Sequence, residues 1–95
     1  MPKAAKWDGR WWAVLADIPV KDRVWADQFR VKVKTLGFYP LQRTVWFYPF
    51  DPRDEIDFVA EFYHVYRFVT VIRVDKLNEN DRQTLQKYFR DQKII

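Results

Sequence analysis

The sequence predicts an α+β domain, and three observations carry that prediction. Segments with apolar residues every three or four positions alternate with extended runs rich in β-branched and aromatic residues. The run from Arg10 to Ile18 is apolar on both parities, as in a strand buried on both faces. The run from Gly37 to Phe50 is long for one straight strand and is expected to bend near Thr44 or Val45 into two segments.

In the first strand, Trp12, Val14, Ala16 and Ile18 alternate with Trp11, Ala13, Leu15 and Asp17, and Pro19 ends the pairing. Pro19 to Leu36 reads as a helix with Trp25, Phe29, Val33 and Leu36 inward and Arg23, Asp27, Arg30 and Lys34 outward. Gly37 stands where a left-handed C-cap is expected. After the long run, Asp51-Pro52 supplies a capping side chain and a helix-starting proline. That helix runs to about Tyr63, with Ile56, Val59 and Tyr63 inward. Tyr66 to Asp75 is the next strand. Asn78 or Asn80 caps a last helix, residues 78–92, with Leu85, Tyr88 and Phe89 inward. Counting the bent run as two strands gives βαββαβ, the ferredoxin-like split βαβ order, with an added C-terminal helix.

Helices would then cover one sheet face. The other would carry Trp11, Ala13, Leu15, Trp46, Tyr48, Val69 and Val71, too apolar a set for water to cover. A homodimer is the expected solution, with the C-terminal helix packed on its own sheet or swapped onto the partner. An aromatic share of 19% in 95 residues points the same way.

Length and composition bound the rest. Ninety-five residues make one domain, preceded by a basic leader over residues 1–9 that carries Lys3 and Lys6. A hydrophobic share of 48% excludes a disordered tail. No cysteine is present, so disulfide frameworks and thiolate metal sites are excluded, in keeping with a cytoplasmic location. No apolar run reaches the length of a membrane span or a signal-peptide core. The net charge of +4 is compatible with nucleic acid but does not require it.

Asp17 is the sharpest candidate for chemistry. It is a carboxylate at the carboxyl end of an apolar strand, where sheet rims form clefts. Two copies across a two-fold axis would offer paired oxygens suited to Mg²⁺ or Mn²⁺, and the metal could activate water against a phosphodiester. The alternatives are a cap on the following helix or an ion pair. Arg23, Arg30 and Lys34 line one helix face and could follow a phosphate backbone, or simply meet solvent. A buried Arg43 would be costly unless paired, so beside Thr44 it either contacts an anion at the rim or pairs with a carboxylate such as Asp17. His64 reads as a helix-end residue rather than a ligand. No nucleophile elbow or phosphate-cradling glycine loop is present. The segment Arg67 to Val74 lacks the aromatic pattern of an RNA-recognition motif.

The set Trp7-Asp8-Gly9-Arg10-Trp11, Ala16-Asp17-Ile18-Pro19, Leu36-Gly37-Phe38-Tyr39-Pro40-Leu41-Gln42-Arg43-Thr44-Val45-Trp46 and Tyr48-Pro49-Phe50-Asp51 resembles a known superfamily. It looks like the small CRISPR-associated adaptation protein that partners the integrase. More closely, it is similar to the central domain of the PaaX-type phenylacetic-acid repressor. The resemblance covers residues 7 to 77. It implies a ferredoxin-like homodimer in which Asp17 is the metal-binding and catalytic residue of a nuclease centre and Arg43 contacts nucleic acid. Thr44 stands where serine is usual and keeps the hydroxyl. Two roles follow from the resemblance. One is an adaptation protein that binds double-stranded DNA and bridges integrase subunits, with or without metal-dependent endonuclease activity. The other is a non-catalytic dimerisation or regulatory module of the repressor family. The repressor's winged helix-turn-helix has no room in this length, which argues against an autonomous sequence-specific repressor.

Overall fold

A strand with no polar parity needs cover on both sides, and the first strand gets it from two separate helix layers. The computed structural model describes residues 6–95. Trp11–Ala16 forms β1. A 3₁₀ turn at Val20–Asp22 leads into α1, Arg23–Thr35. Tyr39–Gln42 and Val45–Tyr48 are β2 and β3. Then come α2 (Arg53–Phe62), a 3₁₀ turn (Tyr66–Phe68), β4 (Val69–Val74) and α3 (Glu79–Asp91). The chain is α+β, with three α-helices and a four-stranded antiparallel sheet in the order β2-β3-β1-β4 among the described residues.

Of the expected leader, residues 1–5, including Lys3, lie outside the described residues. Trp7 docks on Trp11, ring centroids 4.8 Å apart, and its Nε1 donates to the Arg10 carbonyl at 2.7 Å.

The long run does not bend as a strand; it reverses. Arg43-Thr44 is a two-residue turn between β2 and β3, and both residues are exposed. Neither has positive φ, so the turn is not the left-handed type usual in tight hairpins. A register shift between Pro40 and Gln42 marks a bulge in β2, which adds local twist. The expected strand from Tyr66 also begins later, because Tyr66–Phe68 coils into its 3₁₀ turn first.

Helix ends follow the sequence signals. Phe38 N–H donates to the Val33 carbonyl and Gly37 N–H to that of Lys34, with Gly37 at φ +100°. That is a Schellman ending, and it needs a left-handed residue. His64 at φ 60° and Lys93 at φ 59° hold the matching positions after α2 and α3. Asp51 Oδ1 accepts from the Arg53 backbone N–H at 3.0 Å where α2 begins. The Arg53 side chain also bonds to this carboxylate and holds it below the usual carboxylate range. Asn78 caps α3 by accepting from the Asp81 N–H at 2.8 Å.

On one sheet face, Val14 pairs with Trp46 and Val71, and Trp46 meets Phe29 of α1 edge-on. Arg53, at the start of α2, lies over the Trp12 ring of the same face. On the other face, Ala13 pairs with Phe47 and Ile72. Here Phe89 of α3 packs on Trp11 and Tyr88 packs on Tyr39. The C-terminal helix therefore covers its own sheet. Trp46, Val69 and Val71 sit on the α1/α2 side, not the side expected for them. Alternation sorts residues within a strand, but which parity of one strand joins which of the next is set by register. Within α1, Trp25, expected inward, is 38% exposed, and Ala26 instead is buried with Phe29 and Val33.

Candidate nucleic-acid interface

β1 ends between two turns. Ala16 N–H donates to the Thr44 carbonyl at 3.0 Å, and Asp17 N–H to the Phe68 carbonyl at 3.1 Å. The first bond fixes the β2–β3 turn against the point where the chain leaves the sheet for α1. Pro19 then turns the backbone into the Val20–Asp22 segment. Between this segment, the β2–β3 turn and one side of α1 lies a cleft of ≈620 Å³.

Arg23, Ala26, Asp27 and Arg30 face this cleft from α1. Their spacing of three, four and seven residues is that of one helical stripe. Arg43 and Thr44 face it from the turn, and Ile18, Pro19 and Val20 complete the wall. Three arginines and a threonine therefore line one space, with a single acidic residue, Asp27, among them. Its carboxylate holds Arg30 Nη1 at 3.4 Å. Arg30 Nε is buried and makes no hydrogen bond among the described residues. A buried N–H left so costs about 1–3 kcal/mol. Arg23 and Arg43 form no ion pair among the described residues, unlike Arg10, Arg53, Arg73 and Arg82.

Four of the five basic and hydroxyl residues singled out from the sequence are thus gathered: Arg23, Arg30, Arg43 and Thr44. Lys34 is not among them. It shares their helix stripe but lies eleven residues beyond Arg23, about 16 Å along the axis. Arg43 neither penetrates the sheet nor pairs with Asp17; the reversal places it on the surface. The cleft's apolar wall at Ile18, Pro19 and Val20 was missed in the sequence, although the strand-ending proline marks where the chain must leave the sheet.

Asp17 is exposed at the end of β1. It caps no helix, since neither the Val20–Asp22 turn nor α1 has a side-chain cap. It does not line the cleft, but it follows Ala16, the residue bonded to Thr44. One chain offers one carboxylate here, and no group of three histidine or acidic side chains suited to a metal gathers among the described residues. A divalent cation of the Mg²⁺ class keeps several waters and is held by one or two carboxylates together with phosphate oxygens, so a single chain would contribute Asp17 as one such carboxylate.

No helix among the described residues is long and apolar enough to cross a membrane. No curated protein and no solved structure matches the chain. The family described as "PaaX protein central Cas2-like domain" matches residues 4–86. The strand leading to Asp17, the helix beyond it and the Arg43-Thr44 turn all fall inside that match, and the chain belongs to the family of PaaX central Cas2-like domains.

Proposed function

We propose that this chain is a ferredoxin-like, non-catalytic module of a PaaX-type regulator that holds the phosphate backbone of double-stranded DNA in the Arg23–Arg30–Arg43 cleft. The βαββαβ element order with sheet order β2-β3-β1-β4 supports the fold part of this reading. The gathering of three arginines around one cleft carries the functional part. Guanidinium N–H groups donate to phosphate oxygens in a fixed fork, and charge-assisted bonds of this kind are about twice as strong as neutral ones. The Thr44 hydroxyl adds a donor. Such contacts position a backbone without reading its sequence.

The test is duplex binding titrated against salt. Affinity should be weak, with Kd about 10⁻⁴–10⁻⁶ M near physiological salt. Log K should fall linearly with log salt concentration, and Arg43→Ala should flatten the slope by about one while weakening all sequences alike. Binding that is absent, or indifferent to salt, would sink the reading.

A second reading rests on the position of Asp17. It is exposed on the same rim as the cleft, one residue from the Ala16–Thr44 bond. A phosphodiester held in the cleft would lie near this carboxylate, as a metal-dependent adaptation endonuclease acting with an integrase requires. Under that reading, purified protein with Mg²⁺ or Mn²⁺ cleaves nucleic acid and Asp17→Ala abolishes cleavage. Equal cleavage by the variant would assign the activity elsewhere.

A further inference from the structure

The helix layer carries an apolar seam between α1 and α2. Val31 of α1 is 66% exposed, and Phe58 and Phe62 of α2 are 71% and 63% exposed. Two hollows lie along this surface, one of ≈330 Å³ lined by Val31 and one of ≈220 Å³ lined by Phe58 and Phe62. Lys32 and Tyr63 border both, so they stand between the two as a sill. An occupant that fills both hollows must send apolar groups to either side of that sill. One α-helix laid along the seam does so, because side chains three and four positions apart fall alternately to its two sides, as in a coiled coil.

Charge on the two sides of the seam selects among such helices. α1 carries four basic side chains, Arg23, Arg30, Lys32 and Lys34, and one acidic, Asp27. α2 carries one basic side chain, Arg53, and four acidic, Asp54, Glu55, Asp57 and Glu61. Asp54, Asp57 and Glu61 are exposed and form one stripe of α2 beside Phe58 and Phe62. The complementary helix therefore has an apolar stripe, acidic side chains on the flank over α1 and basic ones on the flank over α2. A like charge on either flank would be disfavoured. α1 has 13 residues and α2 has 10, about 20 and 15 Å, so the seam takes a helix of roughly three turns. α3 is packed on the opposite face of the sheet and does not supply it.

We propose that the α1/α2 seam docks one amphipathic helix of a different protein, acidic along one flank and basic along the other. The proposal goes beyond both readings above, since Val31, Phe58, Phe62 and Tyr63 do not line the arginine cleft. The probes are three fluorescein-labelled synthetic helices of about 14 residues, each locked by a lactam bridge on its outer face. All carry leucine at the a and d positions. The first has glutamate along one flank and lysine along the other, the second glutamate on both, the third lysine on both. In anisotropy titrations with the full chain, the first should bind saturably and the other two about tenfold more weakly or worse. Phe58→Asp and Val31→Asp, on the two sides of the sill, should each abolish binding with unchanged circular dichroism, since both side chains are on the surface. Ile72→Asp, on the sheet face under α3, should bind as wild type does. Equal binding of all three helices would reduce the seam to a non-specific apolar patch and overturn the proposal. So would binding by none of them, or binding kept in both seam variants. Sedimentation of the chain alone tests the remaining occupant. A dimer whose mass falls to that of one 11.7 kDa chain in Phe58→Asp would give the seam to a second copy and overturn the proposal as well. Duplex DNA enters none of these measurements, so failure of the cleft to bind it leaves their outcome unchanged.

Discussion

Phe89→Ala should destabilise the folded chain by about 3–5 kcal/mol, the range for emptying an aromatic core site. Phe89 is fully buried and sits among three rings, with centroids 5.7 Å from Trp11, 5.6 Å from Tyr48 and 5.0 Å from Tyr88. Beyond the ring itself, its removal strips the contact that seats α3 on the sheet. Because a domain has only about 5–15 kcal/mol in hand, the loss takes a large share of the total. Urea unfolding followed by tryptophan fluorescence measures it directly. Phe58→Ala is the control: the same side-chain change on the surface should stay within about 0.5 kcal/mol. A Phe89→Ala loss under 1 kcal/mol would mean that α3 contributes little to closing that face.

Arg30→Met should separate binding from stability. The side chain lies over the cleft with its Nε buried and unbonded, and its one ion pair is long at 3.4 Å. Methionine keeps much of the stem's volume and removes the unsatisfied N–H, so stability should be unchanged or rise by up to about 1 kcal/mol. Duplex affinity should meanwhile fall about 10- to 150-fold, the loss of one charge-assisted contact worth about 1.5–3 kcal/mol. A residue kept at the expense of stability is the signature of a binding group. Thermal melts and fluorescence anisotropy on the same samples check both halves. A variant that unfolds more easily and binds equally well would make Arg30 a structural residue.

Local signals made most of the fold legible. Both parities of β1 are apolar, and both faces of that strand are covered, by α1 and α2 on one side and α3 on the other. Gly37 ends α1 and Asn78 starts α3 where the side-chain chemistry requires. Two features escaped because their causes are not local. The Arg43-Thr44 reversal contains none of the glycine, asparagine or aspartate that marks a tight hairpin; β2 answers with a bulge instead. The parity of Trp46, Val69 and Val71 depends on inter-strand register, which is decided by neighbours far away in sequence. For the site, helical period was enough to align Arg23 with Arg30. Only the reversal and the Ala16–Thr44 bond bring Arg43 to them.

β1 hydrogen-bonds on both sides, to β3 and to β4, yet it is the earliest of the four strands to leave the ribosome. Its last partner ends at Val74, about 58 residues after Ala16. At 5–20 residues per second, synthesis leaves this edge open for roughly 3–12 s. Throughout that interval the chain exposes an apolar strand containing Trp11 and Trp12, an unpaired edge of the kind on which other chains add. The strand that anchors the finished sheet is therefore the one that waits longest for its second partner.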